Sequence, residues 1–183
     1  MRFPEQLKTA RLELRMPDPA RAPAVNEAIR ESFDTLSRWM DWADHIPSIE
    51  ETRARLVRSR QKFLADEDYG LHIFLTDPLR FLGSAGLHPR PADEGRREIG
   101  YWIRDTATGQ GYATETVRAI AAAAFESLHL ACIEIRASAR NVASHRVAER
   151  AGFVLDAVVS DGRVDPDGES SDTHVYILSR DVP

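Results

Sequence analysis

The sequence contains a single cysteine, Cys132, among its 183 residues. An internal disulfide is therefore excluded, and a lone thiol is typical of proteins that stay in a reducing compartment. No apolar run approaches the roughly 20 residues that a membrane-spanning helix needs. The first residues, Met1 to Glu5, lack the apolar stretch of a secretory signal. We therefore predict a cytoplasmic protein that does not bind membranes.

Basic residues are also fewer than acidic residues in this sequence. The chain has 24 Lys and Arg against 29 Asp and Glu, which gives a formal net charge of -5. This balance argues against binding of a phosphate backbone, so nucleic acid is not an expected partner. The six histidines show no metal-ligand spacing, and no metal is expected. The 43% hydrophobic content is ordinary for a globular protein, and the length suits one domain over residues 1–183.

Alternating and helical patterns of apolar residues predict about seven strands with helices between them. The predicted strands are residues 11–15, 69–76, 81–88, 97–104, 131–138, 153–159 and 173–178. The predicted helical regions are residues 20–46, 48–66, 114–128 and 144–151. Ser48 and Glu51 have the spacing of a capping box, and Gly152 is a natural helix stop. The pattern predicts a mixed α/β fold with a mostly antiparallel central sheet flanked by helices.

A glycine-containing segment, Gly109 to Glu115, lies between a predicted strand and an amphipathic helix. Glycines let the backbone approach a ligand, and a helix N-terminus offers free N–H groups to an anion, so a pyrophosphate would fit. An ordinary tight turn is equally compatible with two glycines. A Walker loop is excluded because no Gly-Lys-Ser/Thr follows. A Rossmann fingerprint is disfavoured because Thr114 replaces the third glycine and residues 105–108 separate the loop from its strand.

A second segment, Asn141 to Phe153, would by itself be an ordinary capped helix that ends at Gly152. Together, in this order and spacing, Gly-x-Gly-Tyr-Ala-Thr-Glu and Asn-x-x-Ser with Glu-Arg-Ala-Gly-Phe resemble the coenzyme A core of the GNAT superfamily of N-acetyltransferases. The strand Arg97 to Trp102 is similar to the central strand of that family. The resemblance covers roughly residues 9–180. It implies the GNAT fold, acetyl-coenzyme A as cosubstrate, and acetyl transfer to a primary amine.

The segment Leu36 to Trp42 is similar to RimJ/RimL-type members, which acetylate protein N-termini. This resemblance implies a protein or peptide α-amine as acceptor, with Trp39 and Trp42 shaping its pocket, although both are also compatible with core positions at helical spacing. Two alternatives stay open. One is acetylation of a small amine, namely a polyamine, an aminoglycoside or an amino acid, and the other is non-catalytic binding of an acyl-coenzyme A. The sequence does not identify the acceptor or the oligomeric state, and a homodimer is one possibility.

The resemblance also implies where the cosubstrate binds. Its pyrophosphate would rest on backbone N–H groups from Gln110 to Thr114, and its pantetheine arm would pair with the edge of the strand Arg97 to Arg104. A backbone N–H near Ile103 would polarise the thioester carbonyl, and Asn141 would hold the arm from the other side. Thr108 stands where many members carry Arg or Gln, so that phosphate contact is missing. The predicted cosubstrate-binding residues are Ile103, Arg104, Gly109, Gln110, Gly111, Tyr112, Ala113, Thr114, Asn141 and Ser144.

Two side chains are predicted to move protons. Glu98 is the candidate base for the amine, directly or through a water, although it could also be a surface carboxylate at a strand edge. Ser144 is the candidate donor to the departing thiolate, and a helix-cap role is compatible with this. Ala148 stands where many family members carry a tyrosine acid. If Ser144 is not the donor, Tyr112 and Tyr176 are the next candidates.

Overall fold

The computed structural model describes residues 2–90 and 96–180. In this part of the chain eight strands form one sheet in the order β1-β2-β3-β4-β5-β6-β8-β7, accompanied by five α-helices. The strands are β1 (Gln6–Lys8), β2 (Leu12–Arg15), β3 (Tyr69–Thr76), β4 (Leu79–Pro89), β5 (Arg96–Ile103), β6 (Cys132–Ser138), β7 (Val154–Val164) and β8 (Ser170–Ser179). The helices are α1 (Ala22–Glu31), α2 (Phe33–Trp39), α3 (Ile49–Leu64), α4 (Tyr112–Ser127) and α5 (Val142–Ala151). None of the helices described is both long and apolar enough to span a bilayer.

The predicted fold class, a mixed and mostly antiparallel sheet with flanking helices, is confirmed. All adjacent strands are antiparallel except β5 and β6, which are parallel. The sheet has one strand more than the seven predicted, because β1 has only three residues. Three residues are too few to carry an alternating pattern.

Two hydrophobic clusters hold the helices to the sheet. The larger one joins strand residues such as Leu71 and Ile99 to Val117 and Ile120 of α4, all of them almost fully buried. The smaller one packs α1 and α2 onto aromatic residues of β3 and β4, including the pair Phe74 and Phe81. Because strand side chains alternate between faces, β3 contributes to both clusters. Each large side chain buried in this way contributes roughly 1.5–3 kcal/mol.

A gap opens where β5 and β6 separate. The two parallel strands pair only at three positions, and Glu98 with Glu134 is the last of them. Beyond this point β5 continues to pair with β4 as far as Ile103, whereas β6 continues to pair with β8 as far as Ser138. The edge of β5 that faces β6 is therefore not paired with it beyond Glu98. The sheet thus creates a wedge-shaped opening beside its central strand.

The helix starts that border this gap differ slightly from those predicted. Helix α4 begins at Tyr112 rather than Thr114, directly after Gly111, which adopts a left-handed φ of 81°. Helix α5 begins at Val142 rather than Ser144, because the side chain of Asn141 caps it and accepts a hydrogen bond from the Ser144 N–H at 3.1 Å. The cap position predicted for Ser144 therefore belongs to Asn141.

Other local predictions were confirmed or corrected by the same structure. The capping box of Ser48 and Glu51 is present at the start of α3, and Gly152 ends α5 with φ 97°. The helical region predicted over residues 20–46 is too long, since α2 ends at Trp39 and an irregular segment follows. The final hairpin is longer than predicted, with β7 and β8 reaching Val164 and Ser170.

Candidate active site

A cleft of about 660 Å³ occupies the gap between β5 and β6 and extends beyond the gap in both directions. One end is bordered by the first turns of α4 and α5, and the other by α2 and the segment after it. Most of the residues singled out from the sequence line this one cleft. They are Trp39, Trp42, Glu98, Ile103, Gly109, Gly111, Tyr112, Ala113, Thr114, Asn141 and Ser144.

The loop before α4 has the geometry of an anion-binding turn. Gly109 and Gly111 have φ of 73° and 81°, in the left-handed region that favours glycine. A Cβ added at Gly109 would meet nothing within 4 Å, and one at Gly111 would meet only the Arg11 Nη2 atom at 3.6 Å. The loop surface is thus open to a ligand. The N–H groups of the first helical turn lack partners within the helix and are available to an anion.

Arginines near this loop supply positive charge that Thr108 does not. Arg146 and Arg150 lie one turn apart on α5, and both line the cleft. Arg11 lies on the outer side of the loop, where its Nη1 donates to the carbonyl of Gln110 at 3.0 Å. The sequence reasoning missed the two α5 arginines, although their i, i+4 spacing was a usable signal. The charge of Arg11 is paired with Glu115, with Nη2 2.6 Å from Oε2, so Arg146 and Arg150 are the guanidinium groups that make this end of the cleft favourable for phosphates.

The gap-facing edge of β5 presents a backbone donor at its end. The Arg104 N–H donates to the Leu82 carbonyl of β4 at 2.7 Å. Because successive N–H groups point to opposite edges of a strand, the N–H of Ile103 points into the gap. This is the donor that the sequence placed at the thioester carbonyl.

Two residues of the predicted cosubstrate set do not join the others. The Arg104 side chain is 5% exposed and pairs with Glu31 and Glu27 of α1, while its N–H is used by β4. Arg104 therefore ties α1 to the sheet, and we remove it from the set. Gln110 is exposed and does not line the cleft, and its carbonyl accepts a hydrogen bond from Arg11.

The Ser144 hydroxyl faces the cleft and has a tyrosine as neighbour. The Tyr101 hydroxyl lies 2.9 Å from Ser144 Oγ and 3.3 Å from the Ser144 carbonyl. Burial raises the pKa of Tyr101 to about 12, so this phenol stays protonated at neutral pH. The tyrosine beside Ser144 is therefore Tyr101. The further candidate acids predicted from the sequence were Tyr112 and Tyr176. No local signal in the sequence indicates this contact.

Glu98 lies at the point where β5 and β6 part, and its side chain lines the cleft. Burial is the main cause that raises its pKa, and the nearby charge of Glu134 raises it further. Arg90 opposes this shift, with its Nη1 atom 3.4 Å from Glu98 Oε2 and its Nε 2.8 Å from Glu134 Oε1. A carboxylate with a raised pKa is a better proton acceptor than an exposed one. Glu98 therefore lines the cleft with a pKa above the ordinary value of a glutamate.

Aromatic rings form the other end of the cleft. Trp39 and Trp42 line it together with Trp102 of β5, and the rings of Trp42 and Trp102 are 6.2 Å apart. These are the three tryptophans of the chain. Arg136 of β6 and Arg163 of β7 also reach this end. The sequence predicted the first two tryptophans here, but Trp102, Arg136 and Arg163 become neighbours of the site only through the sheet.

Comparison with known proteins gives related sequences and folds. YdaF of Bacillus subtilis strain 168, named as a ribosomal N-acetyltransferase, is 28% identical over 151 residues, which are 82% of each chain. YjcK of the same organism, named as an N-acetyltransferase, is 34% identical over 126 residues, which are 68% of each chain. The structure of RimL, a ribosomal L7/L12 α-N-protein acetyltransferase in complex with coenzyme A, superposes with a TM-score of 0.88 at 23% identity. It covers 98% of this chain and 100% of RimL.

A family model settles the relationship. The model of the acetyltransferase (GNAT) domain matches residues 11–154, which include both the loop before α4 and the start of α5. The match thus includes every cleft-lining residue except Arg163 and most of the sheet around the cleft. The chain belongs to the GNAT family of acetyltransferases.

Proposed function

We propose that this acetyltransferase transfers the acetyl group of acetyl-coenzyme A to the α-amine of a protein or peptide N-terminus. The observation that carries the proposal is that one cleft joins an anion-binding loop at one end to a wall of tryptophans at the other. Two relatives support the choice of acceptor, since YdaF is named as a ribosomal N-acetyltransferase and RimL as an α-N-protein acetyltransferase.

The cleft fits the donor along its whole length. The open loop at Gly109 and Gly111 and the arginines beside it suit the pyrophosphate, and the gap-facing edge of β5 suits the amides of the pantetheine arm. Asn141 uses its side-chain oxygen to cap α5, which leaves its amide nitrogen to donate into the cleft. RimL, whose fold superposes on this one, was determined with coenzyme A bound.

The proposed chemistry assigns one task to each residue. Acetyl-coenzyme A, when bound, supplies a thioester whose carbonyl carbon accepts the amine. The Ile103 N–H donates a hydrogen bond to the carbonyl oxygen as charge develops there. Glu98 takes the proton of the attacking amine, directly or through a water. The Ser144 hydroxyl, held at 2.9 Å from the Tyr101 hydroxyl, donates to the departing sulfur.

A thiol-release assay across acceptors tests the proposal. The panel comprises peptides with varied first residues, polyamines, aminoglycosides and amino acids, each at several concentrations with acetyl-coenzyme A. We expect peptides with a free N-terminus to give the highest kcat/KM. Preference for a small amine would replace the peptide acceptor. Tight acetyl-coenzyme A binding without thiol release for any acceptor would favour a binding protein without transfer activity.

We also propose that the protein is cytoplasmic, as its lone cysteine favours. We further propose that two copies of the chain associate through β7. The strand β7 forms an edge of the sheet and exposes large apolar side chains, among them Val154 at 63% and Val158 at 49%. An exposed apolar edge can pair with its own copy around a two-fold axis. Val158→Lys should therefore give a monomer by light scattering, whereas Leu79→Lys, at an equally exposed site far along the chain, should not. A monomeric parent protein would rule this out.

A further inference from the structure

Arg163 is turned inward on a strand that otherwise faces solvent. Every residue of β7 is exposed except Arg163. The pairing register with β8 shifts between Val159 and Arg163, where Asp161 has φ 48°. Gly162 fits there because a Cβ would lie 2.8 Å from the Val159 carbonyl oxygen and 2.9 Å from Thr173 Oγ1. Bulges of this kind re-aim a side chain, and this one directs Arg163 into the cleft.

A buried carboxylate fixes the near side of the guanidinium. Asp165 has a side chain only 1% exposed, and its Oδ1 lies 2.7 Å from Arg163 Nε, as an ion pair without hydrogen-bond alignment. The Ser138 hydroxyl donates to the other oxygen at 2.8 Å, and Arg140 Nη1 lies 3.3 Å from it. A buried ion pair is weak evidence for stability because desolvation offsets attraction. Its geometric effect here is to hold Arg163 in one orientation.

The far side of the guanidinium faces the acceptor end of the cleft. Its Nη2 atom is 3.7 Å from Asp41 Oδ1, and the Asp41 side chain is 85% exposed. Such an exposed pair contributes little and is easily exchanged for another anion. Trp39 and Trp42, on the same cleft, bring apolar surface to this position. A fixed guanidinium with a weakly paired outer edge is suited to a carboxylate, whose two oxygens match its fork.

We infer that Arg163 selects acceptors that carry a carboxylate close to the amine, such as N-terminal peptides with an acidic residue among their first positions. This inference rests on the proposed acetylation of an amine bound at the tryptophan end of the cleft. The carboxylate displaces Asp41 from Arg163 while Asp165 keeps the guanidinium in place. Arg163 thereby acts on acceptor binding and takes no proton in the reaction.

The test compares matched acceptors with and without the carboxylate. One set consists of peptides that differ only by Asp or Asn at position 2, 3 or 4, and a second set consists of amino acids and their amides. We expect the acidic member to have a kcat/KM about tenfold higher at one or more positions, mainly through a lower KM. Arg163→Gln should remove this preference. Arg140→Gln is the matched control, since Arg140 contacts the same Asp165 but does not line the cleft.

A second variant and a binding measurement distinguish loss of the carboxylate preference from loss of folding. Arg163→Lys keeps the charge beside Asp165 but lacks the fork, and it should retain only part of the preference. All three tryptophans of the chain line the cleft, so fluorescence titration with the acetylated acidic and neutral peptides reports binding without turnover. The acidic peptide should bind more tightly, and only when Arg163 is present.

The outcomes separate this inference from the proposed function. If peptides are acetylated without any preference for the acidic member, or if Arg163→Gln weakens both members equally, the inference is overturned and the peptide acceptor stands. If peptides do not react but amino acids are preferred over their amides through Arg163, the inference stands and the peptide acceptor fails. If no carboxylate-bearing acceptor depends on Arg163 in turnover or in fluorescence, the inference is overturned.

Discussion

At the scale of single residues, the Ser144 hydroxyl is free of the capping role that its position in the chain suggests. It lies in the first turn of α5, where serine commonly serves as a cap, but Asn141 occupies the cap position and accepts the Ser144 N–H. The Ser144 hydroxyl is therefore not needed for the helix end. It contacts the hydroxyl of Tyr101, whose raised pKa keeps a proton in the pair.

Ser144→Ala should therefore lower kcat without weakening the fold. We expect a loss of about 10²- to 10³-fold, by analogy with removal of one donor from an oxyanion site, and little change in affinity for acetyl-coenzyme A. Steady-state kinetics and calorimetry measure these two effects. Asn141→Ala is the structural counterpart, since loss of a cap costs about 1 kcal/mol of stability. Normal turnover in Ser144→Ala would leave the thiolate without its proposed donor, and Tyr101→Phe would then be tested next.

His72 is a second residue whose surroundings make a measurable prediction. It is buried against Phe74 and Phe81, and its Nδ1 has no hydrogen-bond partner among the described residues. Burial lowers its pKa to about 4. In the unfolded chain the imidazole takes up a proton near pH 6.5. Between these values the unfolded state binds more protons, so stability falls as the pH falls.

At pH 5 this group should reduce the free energy of unfolding by about 2 kcal/mol relative to pH 7.5, at about 1.36 kcal/mol per pH unit below 6.5. His72→Leu removes the titration and should lack this part of the pH dependence. Urea unfolding of both proteins at the two pH values gives the difference. If the free energy of unfolding changes equally with pH in the parent protein and in His72→Leu, His72 is not the group responsible.

At the scale of elements, the loop before α4 is the segment that we propose holds the pyrophosphate, and its two glycines have left-handed φ. Gly111→Val should abolish acetyl-coenzyme A binding, because a β-branched side chain is strained at φ 81° and projects from the open surface of the loop. Gly168→Val is the matched control: Gly168 has φ 83° and open space around it, but it lies in the turn between β7 and β8.

Both variants should lose similar stability, of order 1–2 kcal/mol, and only Gly111→Val should lose cosubstrate affinity. Thermal unfolding and calorimetry with acetyl-coenzyme A distinguish the two effects. Unchanged affinity in a folded Gly111→Val protein would remove the loop from the cosubstrate site.

The elements also show which kinds of local structure can be predicted from a sequence. The capping box at Ser48, the stop at Gly152 and the helix that starts beside Gly111 depend on signals within a few residues, and all were found in nearly the right place. The three-residue β1 has no such local signal, and Asp161-Gly162 before Arg163 indicates a turn but not a bulge within a strand. Their positions depend on which strand lies alongside, so sequence reasoning could not supply them.

At the scale of the whole molecule, the same division holds for the candidate site. The cleft residues that belong to motifs, such as Gly109 and Asn141, were predictable because each motif is a short continuous segment of the chain. Tyr101 and Arg163 were missed because only the tertiary structure brings them to the cleft. Tyr101 becomes part of it through its contact with Ser144 of α5, and Arg163 through the pairing of β7 with β8. The tryptophan end of the cleft, where we propose that the acceptor binds, is built mainly of contacts of this second kind.

The whole cleft also predicts which class of amine reacts. An α-amine has a pKa near 8 and a lysine side chain one near 10.4, so at pH 7 the neutral form costs roughly 1.4 kcal/mol for the first and roughly 4.6 kcal/mol for the second. Glu98 is the carboxylate proposed as base, and its pKa is raised by burial, which suits it to remove a proton from the more acidic ammonium. A peptide with a free N-terminus should therefore have a higher kcat/KM than its N-blocked, lysine-containing twin. Equal or faster acetylation of the blocked peptide would show that the α-amine is not the acceptor, and reaction of a polyamine or aminoglycoside alone would identify a small-molecule enzyme.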